Sequence, residues 1–301
     1  MKRGDSRSGV ILVTVLWSIA LLSALAMAAS VTFRGFAGVM AVERDRVQGA
    51  ALLTAGIETA AGMINALGDA PLLNNEERVN LTTGSVRSRL TDEGGRIDVG
   101  KAPVEVIAAL LRSVGASPSA ANDVAQRIVE RRNPGTAPRP NVAPGATNSV
   151  TGMSQTGQPS TPEAGGPFSD LRQLQFVPGM RPEWVAGIAP LATVFGSETV
   201  NPLTAPPGVI AALPGVAKGQ ADAFVRARRT SAADVDRLVR LIEPARRYLA
   251  VKPVRVASVE LMAELANGYT AAARSVIVVL PKDSLPYRVL VWTPVPSPRL
   301  L

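Results

Sequence analysis

The chain has no histidine and no cysteine. Imidazole is the commonest general base and zinc ligand, and thiolate the readiest soft nucleophile, so most acid–base, zinc and covalent chemistry is excluded at the outset. Carboxylates and lysines remain, and no spacing among them proposes a catalytic pair. Asp92, Glu93 and Asp98 stand close together in "TDEGGRID". A hard cation needs several oxygens at once, and three acids beside a strand turn read as solvated groups. The stretch 133–167 has Glu163 as its only acid and offers no second cation site. The expectation is no enzyme, no catalytic residue, no metal and no cofactor.

The other stretch with chemical meaning is "DSRSGVILVTVLWSIALL", from Asp5 to Leu22. A short charged leader ends in Gly9, and the apolar run begins at Val10. A secretory signal peptide would place its cleavage site after the apolar run, not before it. From Ser8 to Phe33 there is no charged residue over 26 positions. A helix over Val10–Phe33 would reach roughly 36 Å, enough to cross a bilayer with some tilt. Lys2, Arg3 and Arg7 precede it, so the positive-inside rule keeps the N-terminus cytoplasmic. Leu53, Ile57, Ala60, Ala61 and Ile64 continue an apolar stripe at helical spacing beyond the charged group Glu43–Arg46. Ala70-Pro71 and the "LLNNEE" that follows read as the break.

A basic leader, a glycine just before the apolar run and a helix that continues as the spine of a soluble domain resemble the type IV pilin-like proteins. In that family a membrane prepilin peptidase cuts after the glycine and methylates the new amino terminus. The resemblance places the cut between Gly9 and Val10 and the N-methylation on Val10. Most pilins carry glutamate at the fifth mature position, which here is Thr14. A carboxylate inside a bilayer is expensive unless paired. In pilins it meets the amino terminus of the subunit ahead. The pilin-like subunit without it is the K-type minor pseudopilin of type II secretion, thought to sit at the filament tip.

The soluble part contains an internal repeat. Setting Ile97–Leu110 against Val200–Leu213 without gaps makes seven of fourteen positions identical, including Ala102/Ala205 and Pro103/Pro206. In each copy Asp98 or Asn201 starts a turn, a proline opens the helix and an apolar face follows. A glycine turn and a second helix then complete a unit that resembles the helix-hairpin-helix. Pro178-Gly179 marks a further hairpin-type turn, and Ser231–Ile242 reads as another helix. Strand character appears in "TTGSVRSRL" and returns in "VRVASVEL", "ARSVIVVLP" and the edge-like "PYRVLVW", ended by the prolines at 294, 296 and 298.

The fold class expected is α+β: a long N-terminal transmembrane and spine helix, a pilin-like antiparallel sheet and a large helical insertion. The boundaries are a leader over 1–9, a membrane helix over 10–33, its periplasmic continuation over 34–66 and the first sheet segment over 67–100. The helical insertion follows over 101–245, with a flexible loop over 133–167, and the last strands occupy 246–301. That split order, with "DEGGRID", the two Ala-Pro hairpins, "FVPGM" and "PYRVLVW", resembles the K-type pseudopilin along nearly the whole chain. The loop at 133–167 departs from it, since the family's loop tends to be acidic and to carry tyrosines.

The resemblance implies a non-enzymatic subunit held in the inner membrane, single-pass, with a periplasmic domain. Its implied partners are the I- and J-type minor pseudopilins, the major pseudopilin, the inner-membrane assembly platform and the prepilin peptidase. Lys+Arg exceed Asp+Glu by eight, so an anchored helix-hairpin-helix DNA-binding protein of a competence or type IV pilus system is the alternative. The hairpin turns argue against it. The usual pair of turn glycines is incomplete, with Ala217 at the second place of one turn and Gly115 alone in the other, and Lys218 is the one basic neighbour. No nucleic acid is expected as a partner.

Overall fold

A computed structural model describes residues 6–72, 75–133, 168–230, 234–281, 283 and 285–296, the side chains of 6–11, 31–35 and 37 apart. The loop expected over 133–167 and the leader residues before Ser6 therefore lie almost wholly outside the described residues. Helix α1 runs from Ser6 to Leu67, 62 residues without interruption. It stops where Gly68 takes a left-handed φ of 57° and Pro71 follows, a glycine cap that a side chain at that position would strain.

A five-stranded sheet follows, in the order β1-β2-β5-β6-β7 with every neighbour antiparallel. Its strands are β1 (Glu76–Leu81), β2 (Gly84–Asp92), β5 (Val256–Leu265), β6 (Thr270–Val279) and β7 (Tyr287–Val295). Along β2, Val86, Ser88 and Leu90 turn inward and Arg87 and Arg89 outward, the alternation of a sheet covered on one face. The cover is α1. Leu52, Leu53, Ile57, Ala60, Ala61 and Ile64 share one core with Val86, Leu90, Val259, Leu261, Ala263 and Ile277.

Two glycines set how closely the helix lies. A Cβ on Gly56 would stand 2.8 Å from both Leu261 Cδ2 and Val86 Cγ2, and one on Gly49 would stand 2.9 Å from the Tyr269 ring. They are seven residues apart, two helical turns, and so share the face that meets the sheet. The Ser88 hydroxyl also donates to the Gly56 carbonyl at 3.3 Å, a contact possible only at this separation.

Between β2 and β5 the chain builds a helical domain with a separate core. It contains β3 (Ile97–Asp98), α2 (Val104–Ser113), α3 (Pro118–Arg132), α4 (Pro182–Ile188) and β4 (Ala192–Thr193). Then come α5 (Pro207–Ala212), α6 (Lys218–Thr230) and α7 (Val235–Arg240). The short β3 and β4 pair in parallel, a two-residue ladder too brief to show in the sequence. Three hairpin turns, at Gly115, Gly179 and Gly215, each use a left-handed glycine (φ 94°, 84° and 78°). The insertion takes more of the chain than 101–245, because Ile97 and Val99 at one end and Tyr248 at the other are buried in its core.

Four local expectations are corrected. "EERVNL", next to the expected break, is strand β1, whose polar outer edge hides the alternation. Strand β5 continues through "MAEL", with Ala263 and Leu265 facing α1, and turns only at Gly268. Strand β7 passes through Pro294, which is tolerated because β7 is an edge strand with its free N–H side unpaired. Helix α7 begins at Val235, where Asp234 accepts the Arg237 N–H at 3.0 Å, and residues 231–233 lie outside the described residues.

Glycine to alanine in an exposed helix interior normally stabilises by about 0.5–1 kcal/mol. Gly62→Ala, whose Cβ meets nothing within 4 Å, should follow that rule. Gly56→Ala should reverse it, losing about 1–3 kcal/mol to overpacking against Leu261 and Val86. Urea unfolding of the two variants in the same detergent checks the opposite signs.

Candidate functional site

The chain leaves the sheet at Asp92 and re-enters it at Val256, and Asp92 lies opposite Ala257 in the ladder. All three acids of "TDEGGRID" gather where the insertion meets the sheet, and they are not solvated. Asp92, Glu93 and Asp98 are 3%, 2% and 1% exposed, which corrects the sequence reading. The insertion folds back over the end of β2 and supplies partners that no local pattern announces.

Each carboxylate has a definite task. Asp92 Oδ1 caps the 3-10 turn Glu93–Gly95 by accepting the Gly94 N–H at 2.9 Å. Its Oδ2 accepts the Thr204 hydroxyl at 2.5 Å and the Asn201 amide at 3.4 Å, both from the start of the second hairpin. Asn201 N–H closes the link by donating to the Gly94 carbonyl at 2.7 Å. Glu93 accepts from the Ser258 hydroxyl on β5 and from Arg96 Nη1 at 3.0 Å. Asp98 Oδ1 accepts the Gly100 N–H at 2.8 Å, while Lys101 Nζ stands 3.4 Å from Oδ2. Burial raises the Asp92 and Asp98 carboxyls above their ordinary range; hydrogen bonds from Thr204, Gly94 and Asn201 pull Asp92 partly back, and Lys101 does so for Asp98. Among the described residues no three acids converge on a cation-sized site.

The repeat seen in the sequence is repeated in its bonds. Asp98 Oδ1 takes the N–H two residues on, and Asn201 Oδ1 does the same with Leu203 at 3.2 Å. The carbonyls of Asp98 and Asn201 then accept the N–H groups of Ala102 and Ala205, at 2.7 and 3.0 Å. Each hairpin is finally closed by an arginine from the end of its second helix. Arg132 Nη1 donates to the carbonyls of Val99 and Ala102 at 3.2 and 2.8 Å, and Arg228 Nη1 to those of Pro202 and Ala205 at 2.8 and 2.7 Å. Burial lowers both guanidinium groups, and neither faces outward. The sequence analysis did not single out these arginines; their recurrence one hairpin apart was the available signal.

The N-terminal residues singled out by sequence all lie within α1. Gly9 and Val10 fall in its first turns, and Thr14 is exposed, its carbonyl accepting the Ser18 hydroxyl at 2.8 Å. Leu12–Ser30 is long and apolar enough to cross a membrane, with mean hydropathy 2.2 and no residue buried against the rest of the chain. Gly38–Leu67 also passes that test, but it lies against the sheet, with Leu52, Leu53, Ile57, Ala60, Ala61 and Ile64 buried there.

No curated protein matches the chain in sequence. Residues 78–197 match the family model of the type II secretion system (T2SS), protein K. Over those residues the chain resembles the protein K family. The match runs from β1 to just beyond β4, so it takes in the carboxylate junction, the first hairpin and "FVPGM". Among solved structures, a chain of the GspK-GspI-GspJ complex from the type 2 secretion system of enterotoxigenic Escherichia coli has the same fold. The TM-score is 0.58 at 14% identity, covering 85% of this chain and 98% of that one. The two findings together support a type II secretion minor pseudopilin of K type, and the chain has the apolar helix, antiparallel sheet and inserted helices of that fold.

Two measurements probe this junction. Arg228→Ala leaves the Pro202 and Ala205 carbonyls without their charged donor, and a loss of about 1.5–3 kcal/mol in urea unfolding is expected. Arg112→Ala, exposed and outside any clamp, should change little. The second concerns pH. Because burial raises Asp98 above the usual 3.8, the folded chain takes up its proton before the unfolded chain does. That contribution to stability is fully present below the unfolded value and is lost as pH rises through the folded one. Asp98→Asn does not titrate, so over the window just above pH 3.8 its stability should fall less with rising pH than that of the native chain. Urea midpoints at stepped pH measure the difference.

Proposed function

We propose that this chain is the tip subunit of the type II secretion pseudopilus and helps to initiate its assembly. It acts as a structural component and not as an enzyme. The observation that carries the reading is the absence of a carboxylate from the membrane segment: after Asp5 the next acid is Glu43, and Thr14 stands where pilins place glutamate. A subunit with no neighbour ahead needs no charge to meet that neighbour's amino terminus. The bulk of the insertion supports the same position, since a wide head is hard to seat beneath a stacked subunit. Prepilin peptidase cuts between Gly9 and Val10 and methylates Val10. The segment over 10–33 then holds the protein in the inner membrane, with residues after it in the periplasm.

The partners are subunits resembling GspI and GspJ, the major pseudopilin and the assembly platform. Apolar side chains left exposed on α1, including Phe36, Val39, Met40 and Val47, provide surface for neighbouring helices. The DNA-binding alternative is disfavoured by the clamps, which direct Arg132 and Arg228 to backbone carbonyls instead of phosphate.

Intact mass of the membrane-extracted chain, produced with and without a prepilin peptidase, is the deciding measurement. The expected species starts at Val10 and is one methyl group heavier than the bare chain, only when the peptidase is present. A full-length species with the peptidase active removes the pilin reading. Immunogold labelling of the insertion on assembled pseudopili should mark one end; label along the shaft removes the tip assignment while leaving the family intact.

A further inference from the structure

On the face of the sheet turned away from α1, side chains stand in rows, because cross-strand partners share a face. One row runs through Glu76, Arg89, Glu260, Arg274 and Thr293, across all five strands. Its charges alternate and satisfy one another. Arg89 pairs with Glu76 at 2.6 Å, and Arg274 with Glu260 at 2.8 Å. The next row runs through Arg78, Arg87, Met262, Ala272 and Val295. Here two arginines stand directly opposite each other, a placement that destabilises a sheet unless something neutralises it. Both are exposed, and among the described residues neither has a carboxylate within 4 Å. Arg78 donates only to the Ser85 hydroxyl, at 3.1 Å, and Glu264 opposite Ser85 pairs with neither arginine.

The apolar half of that row is a depression. Ala272 stands between Met262 and Val295, and its small side chain leaves a gap between two larger ones. A cleft of about 280 Å³ opens there, and its lining is more apolar than polar. Arg87, Arg89 and Arg274 belong to that lining, with Glu260 as its one carboxylate. Met262 and Val295 are 45% and 42% exposed. Arg87 lies two strands from Ala272, about 10 Å along the row. Residues three apart in an extended chain span the same distance, about 10 Å. An aliphatic residue and an acidic one at that spacing therefore fit the depression and the unpaired guanidinium together. A nucleic acid fits poorly. Glu260 and Glu264 would repel a run of phosphates, and the row has no aromatic side chain for a base to stack on.

We propose that this outer face of the sheet docks an extended acidic segment of a partner protein. An aliphatic side chain of the segment lies over Ala272 between Met262 and Val295, and a carboxylate three residues away meets Arg87 beside Arg78. The surface is on the opposite side of the sheet from α1, so it does not depend on the subunit's place in a filament.

The test uses the full-length chain in non-ionic detergent and a fluorescein-labelled peptide of repeated Leu-Ser-Ser-Glu, followed by anisotropy. This peptide is expected to bind, and its Leu-Ser-Ser-Gln counterpart about tenfold more weakly. Arg87→Gln should weaken the Glu peptide about tenfold and leave the Gln peptide within about twofold. Ala272→Leu fills the depression without changing charge and should weaken both peptides about tenfold. Arg112→Gln, which removes an exposed arginine on α2, should leave both within about twofold. Circular dichroism confirms that each variant is folded. Absence of binding, equal affinity for the two peptides, or no effect of Ala272→Leu overturns the proposal. Tighter binding of an oligonucleotide, lost in Arg87→Gln, also overturns it and assigns the face to nucleic acid.

Discussion

The chain must leave the sheet and return to it at one point. Asp92 and Ala257 face each other across β2 and β5, about 5 Å apart as ladder partners are, yet everything between them is the helical domain. Strand pairing therefore requires the insertion to bring its own two ends together. It does so with hydrogen bonds: the Asn201 N–H reaches the Gly94 carbonyl, the Thr204 hydroxyl reaches Asp92 and the Ser258 hydroxyl reaches Glu93. The carboxylates are costly to bury, and that cost is offset only when each finds its partners. A junction built this way has one orientation, because any other leaves a charge unsatisfied. The head is thereby held at a defined angle to the sheet and, through it, to α1.

Two separate cores follow from the same constraint. The spine helix and the sheet bury one apolar set, closely enough that Gly49 and Gly56 are needed, while the insertion buries another between Ile97 and Tyr248. Within the second core, the duplicated hairpin reuses an arrangement in which an Asx turn opens the unit and an arginine closes it. The clamp explains why the turn sequence can drift from the DNA-binding pattern without loss of the hairpin. What holds the unit is the guanidinium on two carbonyls, and the turn asks only for one residue with positive φ.

Much of this was legible along the chain. The helix could be read from the apolar run and the stripe that continues it, since burial against a sheet demands helical spacing. The hairpins could be read from their Ala-Pro onset, and β6 from its continuous apolar run. Strand β1 was hidden because an edge strand has one ladder neighbour and tolerates polar side chains on both faces. The run of β7 through Pro294 was hidden for the related reason that the missing N–H points away from the sheet. Asp92 and Glu93 looked solvated because the groups that complete their partners, Thr204, Asn201 and Ser258, lie more than a hundred residues away.

Local spacing thus determined the long apolar helix, the stripe that continues it and the order of sheet and insertion, because periodicity and charge act between near neighbours. Tertiary structure alone decided which polar groups are buried and that Arg132 and Arg228 turn to backbone carbonyls. Those outcomes depend on which distant groups meet, and desolvation is settled only when the chain has closed around them.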